Sequence, residues 1–308
     1  MDARLLNLSH SSILALHECP RKFELYRLGA VAEVIIEESP IESLTFLYGH
    51  IVGEGIQLAL QNQTEDQIIW SSFLRWNLDL FARDDKRNKD FWQAITAVKK
   101  FIYQVRNGEL ADYDLVYFDG KPAVELSFII ELPGGFKYRG FLDAALQHRY
   151  TQEVVVLENK TTGATTFNQA QYKNSFQAIG YSVVLDHIFP ALSSYKVLYA
   201  AYLTKQEDFV TVMFEKTLLQ RAVWLQELLI ETHTIELYAR ANLFPRHGES
   251  CFRFNRECQY FHCCHMSTEH MVAPLTQDTL DKLSEDEAKY QIRVTFQDLI
   301  NSQLAKQD

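Results

Sequence analysis

Apolar residues recur at helical spacing through residues 9 to 28, SHSSILALHECPRKFELYRL, with Ile13, Leu14, Leu16, Phe23 and Leu25 on the repeat. Ser9 stands at a capping position and Pro20 interrupts the pattern, so two short helices are predicted. From Phe46 to Asn107 the helical period returns with aromatic anchors at Phe73, Trp76, Phe91, Trp92 and Phe101, around the polar stretch RDDKRNK. An α-helical block is expected there. The period then shortens to two. AVELSFIIEL (123 to 132), FKYRGFLDAALQHR (136 to 149) and EVVVLEN (153 to 159) are strand-like, are separated by the turn signals PGG and RYTQ, and predict a three-stranded meander. A helix from about Asn168 to Asp186 follows, then strands YKVLYAAYLT and DFVTVMF, then a long helix from Thr217 to about Asn242. The predicted order is helices, βββ, α, ββ, α, with no internal repeat and no flexible linker.

Composition narrows what such a chain can be. At 308 residues, 47% hydrophobic, with 12 Gly and 7 Pro, it can bury a large core as one elaborated domain or two intimate ones. No run approaches a membrane span, and the start, MDARLLNLSHSS, lacks the basic and then apolar regions of a signal peptide. A soluble, intracellular, cytoplasmic protein is therefore expected, with no membrane partner. The net charge of −10 argues against a generally basic nucleic-acid coat. Five cysteines, an odd number, argue for a metal site or free thiols rather than a disulfide framework.

The acidic residues gain meaning once placed on the strands. Asp143 lies inside FLDAAL on the second strand of the meander. Glu158 and Lys160 share one face at the end of the third. If the two strands are neighbours, three ionisable groups converge. They can form a structural ion pair with Lys160, or the carboxylates can hold a hard cation such as Mg²⁺.

FLDAAL, fifteen residues before an E-x-K at the end of an apolar strand, resembles the PD-(D/E)XK nuclease superfamily, and in particular its RecB-type branch. Gly49-His50 at the opening of a helix resembles that branch's metal-binding histidine. Gln177 and Tyr181, in QAIGY, resemble its Q-x-x-x-Y motif on the helix after the E-x-K strand, where a one-turn spacing shares a face. The resemblance implies an α/β, restriction-endonuclease-like core: a central mixed β-sheet flanked by helices. It implies His50, Asp143 and Glu158 as Mg²⁺ or Mn²⁺ ligands with the backbone carbonyl of Asn159, and Lys160 orienting the attacking water. Gln177 and Tyr181 would contact DNA or support the site, and Glu125 resembles an acidic position that some members use near the metal. A glutamate stands at 158 where many relatives have aspartate, within the motif's D/E alternative.

The cysteines carry a second signature. Cys19 lies more than 230 residues before Cys251, Cys258, Cys263 and Cys264. One early and three late cysteines resemble the iron–sulfur nucleases of the same branch, including CRISPR-associated four-cysteine exonucleases and AddB-type subunits. That resemblance implies a 4Fe–4S cluster on Cys19, Cys251, Cys258 and Cys264, with Cys263 spare, joining the ends of the chain. A structural Zn²⁺, with His247, His262 and His265 nearby, and unliganded core cysteines are the competing readings.

The expected organisation is a single nuclease domain over 1–308: a cluster-ligand segment (1–45), the helical block (46–110), the nuclease core (111–216), a helix with the cysteine group (217–265) and a polar tail (266–308). The resemblance implies a metal-dependent DNA exonuclease acting on ends or single strands, in recombination, repair or phage DNA processing, with DNA and a helicase or recombination protein as partners. Lys99, Lys100, Arg253, Arg256 and RDDKRNK are candidates for a phosphate path, and Tyr103, Phe252 and Phe254 for base stacking. A non-catalytic DNA-binding or assembly module of the same fold and a zinc-stapled interaction protein are the alternatives.

Overall fold

The structure, a computed structural model, describes residues 8–31, 44–78, 89–189, 195–253, 256–266 and 289–306. Most of RDDKRNK and Phe254 lie outside them, as does the side chain of Arg256. The described strands include a mixed sheet in which hydrogen-bonded neighbours run β11, β4, β5, β6, β7, β8, with β1 also on β5. These are β1 (Tyr113–Leu115), β4 (Val124–Glu131), β5 (Lys137–His148), β6 (Val154–Thr162), β7 (Tyr195–Leu203), β8 (Asp208–Lys216) and β11 (Ile292–Thr295). The predicted meander is β4, β5 and β6. Short pairs β2 (Tyr117–Phe118) with β3 (Lys121–Pro122), and β9 (Phe252–Arg253) with β10 (Arg256–Glu257), stand apart from the sheet. The chain divides into two compact units, one of residues 1–40, 127–140 and 222–308, the other of 41–126 and 141–221.

In the second unit, α3 (Leu44–Leu60), α4 (Glu65–Arg75) and α5 (Phe91–Asn107) form the expected helical block. Leu44, Leu47, Tyr48, Ile51, Val52 and Ile56 form the buried stripe of α3, which packs with Val98 and Phe101 of α5 against Ala144, Leu146, Val155, Leu157, Leu198 and Ala200 of the sheet. Gly55 permits this crossing: a Cβ there would stand 2.4 Å from Val98 Cγ2. Strands β5 and β6 are antiparallel, with Ala144 opposite Leu157. Strands β6 and β7 are parallel, with Glu158 opposite Tyr199. VVVL is buried throughout, as expected of a strand covered on both faces. The helix expected from about 168 is two: α6 (Gln169–Lys173) and α7 (Phe176–Ile188), which packs on β6 and β7. Ser175 makes the break by accepting from the Ala178 amide, a capping bond that starts a new helix without Gly or Pro.

In the first unit, α1 (His10–Glu18) and α2 (Pro20–Val31) meet at Cys19. Ser9 caps α1 in a reciprocal box with Ser12, and Pro20 occupies the first position of α2, where its missing N–H is no loss. Leu8 pairs with β5 through Leu8 N–H to Lys137 O (2.7 Å) and Arg139 N–H to Leu8 O (2.9 Å). The long helix is α8 (Leu218–Arg240), whose Trp224 is buried edge-on against Tyr138 at 5.3 Å. Residues 292–304, read from sequence as the end of a polar tail, instead form β11, parallel to β4, and α9 (Phe296–Leu304).

Candidate active site

Strand β6 leaves its apolar stretch at Leu157 and delivers three polar residues in succession. Glu158 is buried, and its Oε1 meets Lys160 Nζ at 2.5 Å. Its other oxygen, Oε2, is buried with no hydrogen-bond partner among the described residues, as is Oδ1 of Asn159. Asp143, one residue short of the Ala144–Leu157 register pair on β5, accepts the Asn159 backbone N–H at 2.8 Å through Oδ2. The neighbouring strands therefore bring Asp143 and Glu158 together as anticipated. Lys160 Nζ also reaches Gln177 Oε1 at 3.5 Å, the long limit of a hydrogen bond. Gln177 Nε2 donates to Tyr181 OH at 2.5 Å. Four side chains from β6 and α7 thus run in a line: Glu158, Lys160, Gln177, Tyr181.

Electrostatics set this cluster apart from an ordinary salt bridge. Burial pushes the Glu158 carboxyl well above the usual carboxylate range, and the charge of Asp143 pushes it further, while Lys160 opposes both. Burial also raises Asp143, against the Asn159 N–H and the Lys160 charge. Loss of solvent around its carboxyl, then Asp143, raises Glu125, with the Gln57 bond opposing. Burial draws the Lys160 ammonium down, but Glu158 and Asp143 outweigh it and hold it above its ordinary value. Three carboxyls that repel one another face one cation. Such a cluster is short of positive charge, and a hard divalent cation fits it on the chemistry of its donors.

Glu125 lies on β4 and accepts from Gln57 Nε2 at 2.6 Å. Its φ of +47° is left-handed, a conformation that costs a non-glycine residue about 1 kcal/mol or more. His50 is exposed in the second turn of α3 rather than at the helix opening, because the described helix begins at Leu44. Gly49 beside it passes Thr161 of β6, a Cβ there standing 3.6 Å from Thr161 Oγ1. His50 makes no hydrogen bond or ion pair among the described residues. Nor do three or more His, Cys, Asp or Glu side chains among them close into a ready-made ion shell.

Two neighbours escaped the sequence reading. Gln57 lies seven residues after His50 on α3, a spacing that carries the signal of a shared face. Tyr199 sits opposite Glu158 in register, and burial first pushes its phenol up to about 12. Nothing in the apolar run YKVLYAAYL marks it. The candidate phosphate-path cations are engaged elsewhere: Lys99 with Glu65 at 2.8 Å, Lys100 with the Glu207 carbonyl, Arg253 with Glu18 at 3.2 Å. Tyr103 and Phe252 are exposed.

The first unit contains a small, partly open pocket, lined by Cys19, Cys251, Cys258 and Cys264 together with Lys22, His247, Ser250 and Tyr260. Cys263 is not among the lining residues; its thiol points to the Tyr260 carbonyl at 3.5 Å. Burial first, and also Cys19 and Cys251, push the Cys258 thiol up, while Lys22 opposes. Backbone contacts hold the wall in place. His247 Nδ1 and Ser250 Oγ lie 3.0 and 2.7 Å from the Glu18 carbonyl, and Arg21 donates to the carbonyls of Cys264 (3.3 Å) and Met266 (2.6 Å).

Residues 7–265 match the PD-(D/E)XK nuclease superfamily. Among solved structures, a crystal structure of SSO0001 is similar over 78% of this chain and 94% of that one, at 13% identity and a TM-score of 0.31. Curated proteins return no match. The mixed sheet flanked by helices is that of the restriction-endonuclease-like fold. With a match running from the Leu8 pairing to the last cysteines, the chain belongs to the PD-(D/E)XK nuclease superfamily.

Proposed function

We propose that this protein is a divalent-metal-dependent deoxyribonuclease that degrades DNA from ends or along single strands, and that its cysteine cavity holds a 4Fe–4S cluster. The observation that carries the nuclease reading is the buried, unpartnered Oε2 of Glu158 beside a second raised carboxyl. A structural ion pair has no need of the spare oxygen or of the extra acid. In this reading Asp143, Glu158 and the backbone carbonyl of Asn159 hold Mg²⁺ or Mn²⁺, with His50 and Glu125 as further ligands. A bound divalent cation lowers the pKa of its water and neutralises charge on the phosphate. Lys160 donates toward the attacking water from a position fixed by Glu158 on one side and Gln177 on the other, and Tyr181 fixes the Gln177 amide. Protons and substrate are thus oriented before reaction, where preorganised donors act most strongly.

Release of nucleotides from end-labelled single- and double-stranded DNA, with Mg²⁺ or Mn²⁺, tests this. Wild type is expected to cut, and Asp143→Ala and Glu158→Gln to fail. Equal degradation by both variants places the active site elsewhere, and a wild type that binds without cutting favours a non-catalytic module.

The four thiols lining one pocket support the cluster, which Cys19, Cys251, Cys258 and Cys264 would hold. His247 in the same lining favours a mixed Cys/His zinc site as the second reading. Iron, sulfide and zinc analysis of anaerobically prepared protein separates them, and Cys19→Ser is expected to lose the metal and lower the melting temperature. DNA recombination or repair, with a helicase as partner, is the setting this activity suits.

A further inference from the structure

A second polar centre lies in the first unit, at the N-terminus of α1. Ser9 caps the nine-residue helix, and its hydroxyl lies 3.1 Å from that of Ser11. Arg27, on α2, donates through Nη2 to Ser9 Oγ at 2.8 Å. The Arg27 residue is only 5% exposed, its Nε is buried without a partner, and no carboxylate pairs with it among the described residues. The backbone N–H of Arg139 donates to the carbonyl of Leu8, the residue before Ser9; its charge acts on Arg27, and no carboxylate pairs with it among the described residues. Burial first, then the Arg139 charge, draws Arg27 down to about 10. Two guanidiniums are therefore close enough to repel at the positive end of a helix, with no carboxylate paired to either among the described residues.

We infer that Ser9, Ser11, Arg27, Arg139 and the first turn of α1 form a phosphate-binding site that takes a phosphate group of a DNA strand. The guanidinium fork matches a phosphate's oxygens in geometry, and the helix terminus and serine hydroxyls supply further donors. Anion binding follows from these residues alone. Assignment of the phosphate to DNA rests on the nuclease reading above.

The test measures binding of labelled single-stranded oligonucleotides, bearing a 5′-phosphate or a 5′-hydroxyl, to the full chain with divalent metal chelated. No cleavage is needed, so a protein that binds through these residues but never cuts removes the nuclease reading and leaves this one standing. Because Arg27 is buried and its loss can unfold the unit, the variants are Arg139→Gln and Ser11→Asp. Each is expected to weaken binding about tenfold, and Arg139→Gln to reduce the slope of log K against log salt by about 0.7. Ser11→Asp adds a favourable charge to the first helical turn, so its melting temperature should hold or rise while binding falls. A purely structural role for Ser11 predicts no loss of binding. Preference for the phosphorylated end assigns a terminal phosphate, and equal affinity an internal one. Unchanged affinity and salt slope in both variants, or a wild type that binds neither oligonucleotide, overturns the inference.

Discussion

Two acid–base pairs are buried in the second unit. Asp186 of α7 meets Arg221 at 3.1 Å with both side chains sealed from water, and the guanidinium lies 5.0 Å from the Tyr195 ring centre. Glu158 meets Lys160 at 2.5 Å, but Lys160 keeps 32% of its side chain in solvent and a second carboxylate, Asp143, stands beside the acid. The first pair has one charge of each sign in a closed, aromatic setting. The second has surplus negative charge and an open side. A pair that only stabilises needs balance, whereas a pair that handles a charged ligand must be left unbalanced until the ligand arrives.

Removing each cation in turn gives the largest contrast. Arg221→Met leaves Asp186 sealed without its partner and is expected to cost about 3–5 kcal/mol in urea unfolding. Lys160→Met is expected to change stability by no more than about 1 kcal/mol, because Glu158, already pushed toward its neutral form, can take up a proton. Its DNA cleavage should instead fall by a factor on the order of 10² to 10³. Equal destabilisation by both substitutions would mean that the two pairs are alike.

Metal addition sharpens the contrast at a somewhat smaller scale. Mn²⁺ at about 100 times its Kd is expected to add about 2.7 kcal/mol to the stability of the wild type. The same addition should do nothing for Asp143→Ala. Because the raised carboxyls must lose protons to bind a cation, affinity should increase as pH rises above the ordinary carboxylate range. A titration followed by melting temperature at pH 6 and pH 8 reads both effects, and pH-independent affinity would show that these carboxyls are not the ligands.

Much of the sheet and of the candidate site is legible in the amino-acid sequence. Period-two alternation located β4, β5 and β6, and the one-turn spacing of Gln177 and Tyr181 placed them on one helix face, where the two side chains meet at 2.5 Å. What escaped was set by tertiary partners. The break before Ser175 depends on a capping bond in a stretch with no Gly or Pro. Strand β11 has four residues and owes its state to β4, locked by reciprocal bonds between Ser127 and Gln291. The capping signal Thr295-Phe-Gln-Asp298 was present, but it lay in a segment otherwise polar enough to pass for a tail. The left-handed backbone of Glu125, the second residue of β4, had no signal in the sequence.

A third buried cation extends the comparison to a charge with no acid at all. Lys216, at the end of β8, is sealed from water and donates to the Lys173 carbonyl at the C-terminus of α6. No carboxylate pairs with it among the described residues. Burial draws its ammonium down to about 8 from an ordinary value of 10.5. Below pH 8 the folded and unfolded chains both carry the charge, so the folded state bears the full cost of burying it. Between about pH 8 and 10.5 only the unfolded chain stays charged, and the cost fades as pH rises; above that range it is gone. Replacing Lys216 with Met removes that cost together with one hydrogen bond to a helix end, and a net stabilisation of about 1 kcal/mol is expected at pH 7. The gain should vanish or reverse by pH 10.5, where the neutral amine costs nothing and still donates. Urea melts of wild type and Lys216→Met at pH 7 and at pH 10.5 decide it. A difference that stays the same at both values would show that the hydrogen bond, and not the buried charge, governs this position.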